Sequence, residues 1–252
     1  MNASADGTPE HLHPPAPPWR IGLTGADNDL QDLVTQHSTV QTRVVHFQGK
    51  YFLEANGLNE LFDPQQVYEK AHGILHIICG LAKVRRYSAL PVTAVSVSWT
   101  DGKNNWLGLM PFPSVRYRAV PGNRYLEGAN ISEQILVLAQ TNEVARLNLI
   151  DFLGEWDFSR LRRITRNIMV DLGGGNVKRG AKEVVRLGWA TEAECARFDE
   201  SSNFGNKTFF GAHSKFELTP GQNHNPLSLV TASEFVRQLL ARWLTSKITP
   251  SG

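Results

Sequence analysis

The chain has 252 residues, 41 % of them apolar and 9 % aromatic, enough for one large core or two small ones. Its formal charge of +2 excludes a whole-molecule field that would steer it to nucleic acid or to a membrane. Cys79 and Cys195 are too few for a disulfide framework and fit a reduced, cytoplasmic protein, and the lack of any run of about 18 apolar residues excludes a membrane-spanning helix.

Residues 1–17 read as a disordered tail, polar and then rich in proline, with few apolar side chains to offset the entropy of ordering. They lack a basic start followed by an apolar core, so no signal peptide is expected. A strand is expected from Trp19 through Leu23, then a short helix from Asp27 carrying Leu30, Leu33 and Val34. Val40 to Phe47 and Tyr51 to Leu53 read as a hairpin turning at Gln48-Gly49.

Asp63 followed by Pro64 marks a helix start, and the helix is expected to run to about Arg86. Its buried face is Val67, Ala71, Ile74, Leu75, Ile78, Leu81 and Ala82. After Pro91 come strands at Val92 to Trp99, Trp106 to Met110 and Val115 to Val120, with a turn at Asp101-Gly102. This order predicts an α+β segment over 18–121, a mostly antiparallel sheet with two helices on one face.

Residues 122–130 read as a linker, and 131–247 as an all-α bundle. Helices are expected at about Ser132–Leu153, Phe158–Leu172, Asn176–Leu187, Thr191–Ser202 and Thr231–Ser246. Thr191 with Glu194, and Thr231 with Glu234, have capping-box spacing. Gly173-Gly174-Gly175 follows a helix and lacks the Gly-Lys-Ser/Thr of a phosphate loop, so it reads as a helix stop.

Charge is concentrated in one stretch. From Phe158 to Arg186 there are eight basic residues against Asp171 and Glu183, a local charge of +6. Arg162, Arg163 and Arg166 fall on one helix, and Lys178, Arg179 and Lys182 on the next. A short glycine turn makes the two helices antiparallel neighbours, so one positive surface suited to phosphate is expected. The contrasting expectation is a solvated face paired with Glu155, Asp157 and Glu183.

Ser201 to Asn225 reads as a long polar loop. In it His213 could serve as a general acid or base, Lys207 could stabilise developing phosphorane charge, and Asn206 could orient it. A third constellation, His72, His76 and Cys79, falls within about 60° on one helix stripe. No fourth ligand is evident and Gly73 stands where a zinc protease has Glu, so an ordinary polar helix edge is expected and no metal or other cofactor.

The series Phe158, Arg162, Thr165, Gly173-Gly174, Gly188-Trp189-Ala190-Thr191, Arg197-Phe198, Asn203, Ala212-His213, Asn225-Pro226-Leu227-Ser228-Leu229 and Trp243-Leu244 resembles a group of bacterial proteins similar to HEPN-type helical domains. The resemblance covers residues 131–247. It implies a helical bundle, dimerisation, and a metal-independent ribonuclease activity of the defence or toxin–antitoxin kind. The family's Arg-x4–6-His pattern falls here on Lys207 and His213, with lysine in place of arginine, Thr208 at the following polar position and Ala212 before the histidine. Two functions are therefore expected in competition. One is an RNA-directed protein, acting through His213, Lys207 and Asn206 beside the basic helices; the other is a non-enzymatic dimerisation or interaction protein.

Overall fold

A computed structural model describes residues 19–37, 39, 41–86, 89, 91–99, 105–108, 126, 129–210 and 227–249; of these, 99, 105–108, 129 and 203–210 are described by backbone alone. The strand expected at Val115 to Val120 and the turn at Asp101-Gly102 lie outside the described residues.

The sheet has five antiparallel strands: β1 (Trp19–Thr24), β2 (Thr42–Phe47), β3 (Lys50–Ala55), β4 (Thr93–Trp99) and β5 (Asn105–Gly108). Their order across the sheet is β2-β3-β1-β4-β5. The β2–β3 hairpin turns at Gln48-Gly49, both with positive φ. Because side chains alternate across a strand, Val44, Leu53, Ile21 and Val97 fall in one cross-strand row on the buried face. The opposite face carries Glu54 between Arg20 and Arg43, at 2.7 and 2.6 Å.

Against the sheet pack α1 (Asp27–Gln36) and α2 (Pro64–Arg85). Asp63 caps α2, accepting from the Gln65 amide at 3.0 Å, and Pro64 occupies the first position without losing a hydrogen bond. From Ile77 to Arg85 every residue of α2 is buried. The α+β class is thus as the sequence pattern predicts.

The helical region comprises α3 (Ala129–Thr141), α4 (Glu143–Leu153), α5 (Phe158–Leu172), α6 (Val177–Arg186), α7 (Glu192–Phe210) and α8 (Leu229–Ile248). One apolar cluster runs from the sheet through α2 into these helices. Four boundaries differ from expectation, the first being the start of α3 at Ala129 and not at about Ser132. The single helix expected over Ser132–Leu153 is two, because the Asn142 side chain leaves the helical path to cap α4 through the Ala145 amide at 3.0 Å. Helix α8 starts before Thr231: Ser228 is the cap, accepting from the Thr231 amide, and Glu234 instead binds Arg237. Helix α7 continues past Ser202 to Phe210, through Gly205, so the first part of the expected loop is helical.

Polar links stitch the sheet's helix to the bundle. The Lys83 ammonium donates to the carbonyls of Leu153 and Gly154 at 3.0 and 3.3 Å and lies 4.1 Å from the Trp156 ring centre. Arg237, with 0 % exposure, donates to the Val84 carbonyl at 3.1 Å and holds Glu234 with both Nε and Nη2. Arg85 donates to Ser132 Oγ at 3.0 Å and to His37 Nε2 at 3.3 Å. Since arginine has only donors, His37 accepts at Nε2 and carries its proton on Nδ1. Burial first, and then the Arg85 charge, push the His37 pKa down to about 3.

Candidate nucleic-acid interface

Helix α5 is built to turn its cations outward. Leu161, Ile164 and Ile168 follow helical spacing and are fully buried, which leaves Arg162, Arg163 and Arg166 on the exposed side. The helix is fixed at both ends. Asp157 caps it through the Arg160 amide at 2.7 Å. Asp171 accepts from the Trp243 indole at 2.9 Å and from Lys247 at 2.7 Å, tying it to α8. Midway, Asn167 donates to the buried Asn148 of α4 at 3.0 Å.

The triple glycine is a helix stop, as its position predicts. Gly174 and Gly175 have φ of 58° and 93°, and the Gly175 amide returns to the Val170 carbonyl at 2.8 Å. The chain then reverses into α6, capped by Asn176 through the Arg179 amide. Gly180 lets α6 lie against α5, since a Cβ there would collide with the Met169 carbonyl. Thr191 and Glu194 form the expected reciprocal capping box at the start of α7.

Between α5, α6, α7 and α8 lies a groove of about 1120 Å³. Arg162, Arg163, Arg166 and Lys178 line it, four of the six expected phosphate contacts. Arg179 and Lys182 are exposed on α6 outside it. The floor is apolar, with Met169, Val170 and Phe235; Phe235 stacks on the buried Phe198 with ring centres 5.1 Å apart. Its acidic lining residue among the described ones is Asp199, on the α7 wall.

The cations differ in state. Arg163 is held by Asp151 in a two-pronged pair, both contacts 2.7 Å, and that hydrogen bond raises its pKa. Arg186, outside the groove, is paired with Glu183 one turn earlier. Arg162, Arg166 and Lys178 are exposed and make no hydrogen bond or ion pair with their side chains among the described residues. Of the acids expected to neutralise the basic face, Glu183 does so for Arg186, whereas Asp157 serves as a helix cap; Asp151 was not anticipated.

The other expected sites fare differently. Asn206 and Lys207 sit on the last turns of α7 and not on a loop, and their side chains lie outside the described residues. His213 lies outside them altogether. His72 and His76 stand together, ring centres 4.0 Å apart, but the buried Cys79 thiol is engaged with the Val92 backbone. Among the described residues no three metal-ligating groups converge. Cys195 lines the groove, yet burial and then Glu194 push its thiol pKa up, which keeps it protonated and a poor nucleophile. Asp199 and Phe235 were missed by sequence reading. Their signal was present as Cys195 and Asp199 four residues apart on α7, and as the outermost residue of the apolar face of α8.

No family model, no characterised protein and no solved structure matches the chain. No helix among the described residues is long and apolar enough to cross a membrane.

Proposed function

We propose that the protein binds RNA in the α5–α8 groove, with Arg162, Arg166 and Lys178 on the phosphates. The observation that carries this reading is three exposed, unpaired cations on two adjoining helices, above an apolar floor. Guanidinium groups donate two hydrogen bonds in one plane and so match phosphate. Arg162 and Arg166 are one helical turn apart, about 6 Å along the axis, comparable with the step between neighbouring phosphates of a strand. Lys178 stands in the first turn of α6, where the helix dipole also favours an anion. Met169, Val170 and Phe235 offer bases an apolar surface.

A metal-independent ribonuclease acting through His213, with Lys207 and Asn206 beside it, extends this reading and is supported by the family resemblance alone. Cleavage of labelled RNA in EDTA by the wild type, lost in His213→Ala, is the result that extension requires. The contrasting reading, a dimerising scaffold with a solvated basic face, draws support from Arg163 and Arg186, both neutralised by carboxylates. It requires that RNA not bind even at low salt.

Fluorescence anisotropy with a labelled single-stranded RNA separates the two. Three phosphate contacts give a slope of log K against log salt of about −2. Replacing Arg162, Arg166 and Lys178 together by alanine should flatten that slope and abolish binding. Unchanged affinity in the triple variant would remove the groove from the reading.

A further inference from the structure

The groove is electrically lopsided. Its three unpaired cations stand on α5 and the start of α6, and its described carboxylate, Asp199, stands on another helix, α7. Asp199 is exposed, and its carboxylate makes no hydrogen bond or ion pair among the described residues. A phosphate entering the groove is drawn to the first wall and repelled from the second. A strand lying along α5 therefore turns its backbone to Arg162 and Arg166 and its bases to Asp199.

A carboxylate has only acceptors to offer. It therefore sorts bases by the donors on their exposed edges. Guanine presents two adjacent donors, N1–H and the N2 amino group, which one carboxylate accepts together. Cytosine and adenine present one amino group each. Uracil presents a single N–H between two carbonyl oxygens that the carboxylate repels. These edges are open only when the base is unpaired. From Ser159 to Val170, both lining residues, α5 extends about 16 Å. At about 6 Å per extended nucleotide, the step that Arg162 and Arg166 match, that length holds about three.

We infer that the groove selects an unpaired segment of about three nucleotides containing guanine, and that Asp199 is the residue that reads the guanine edge. This inference rests on the RNA-binding reading above.

The test uses the full chain and labelled pentanucleotides of uridine, unsubstituted or carrying one guanosine, cytidine or adenosine. The guanosine pentamer should bind about tenfold more tightly than the all-uridine one, the lower end of what one bidentate pair discriminates, with cytidine and adenosine between. Asp199→Asn should erase the guanosine advantage, so that the guanosine and all-uridine pentamers bind alike. Equal binding of all four pentamers with no effect of Asp199→Asn would overturn the inference and leave RNA binding standing. Binding of none of them, and of no longer strand, would overturn both. A hairpin presenting the same guanosine inside a duplex should bind no better than the all-uridine strand; tighter binding would overturn the requirement for an unpaired base.

Discussion

Two groups of cations in this molecule look alike in sequence and opposite in space. Lys83, Arg85 and Arg86 end α2, and Arg162, Arg163 and Arg166 punctuate α5. Lys83 and Arg85 are 4 % and 2 % exposed, and their donors are spent on carbonyls, an indole ring, a serine and a carboxylate. Arg162 and Arg166 face solvent with no partner among the described residues. A buried cation whose donors are satisfied holds the fold together, whereas an exposed one left unsatisfied is available to a ligand. The difference teaches that a basic run says nothing of function until burial and pairing are known.

That contrast can be broken most sharply at Arg237. Its replacement by alanine takes a donor from the Val84 carbonyl and the paired guanidinium from Glu234, and leaves a cavity where a fully buried side chain stood. Loss of that buried donor together with the cavity left behind costs about 2–5 kcal/mol, which urea denaturation at neutral pH should register. His37 gives the next effect, through pH. Its folded pKa, about 3, lies below the unfolded value of 6.5, so between these limits the unfolded chain binds a proton that the folded one refuses. Stability should therefore fall on acidification through that window, by up to about 1.4 kcal/mol per pH unit. His37→Gln should shallow the fall, and an identical pH profile in the variant would show that His37 does not drive it.

Gly180→Ala should cost about 1–3 kcal/mol as an overpacked contact, and should also weaken RNA binding by moving Lys178 away from α5. The smallest effect is expected from replacing Arg162, Arg166 and Lys178 by alanine. Thermal stability should stay within about 0.5 kcal/mol of wild type, although RNA binding is lost. A triple variant that unfolds would place these residues with Arg237 among the structural cations.

Local signals explain what could be read from the sequence. Asp63-Pro64, the Thr191–Glu194 box and the glycines after α5 each act within one turn of chain, so they were legible. The apolar stripe of α8, Phe235, Val236, Leu239, Leu240, Trp243 and Leu244, was equally plain, and all of it but the partly exposed Phe235 is buried. The errors lie where a distant partner or a weak propensity decided. Asn142 could as well have sat inside a helix, Gly205 could as well have ended one, and Arg237 is buried because two carbonyls of α2, more than 150 residues away, await it. Asp151 and Asp199 flank the basic surface only after the helices are folded against one another. The two positive helices were visible in the sequence; the walls that make a groove of them were not.

The buried end of α2 also sets an order of events. Its last carbonyls find their donor in Arg237 of α8, and Lys83 finds its acceptors at the end of α4. A ribosome delivers residues in sequence at about 5–20 per second, so α2 emerges well before either partner exists. Through that interval Lys83 and Arg85 keep their charges in water, and the nine residues that end buried cannot yet be sealed. The chain's first half can complete its interior only after α8 has been made.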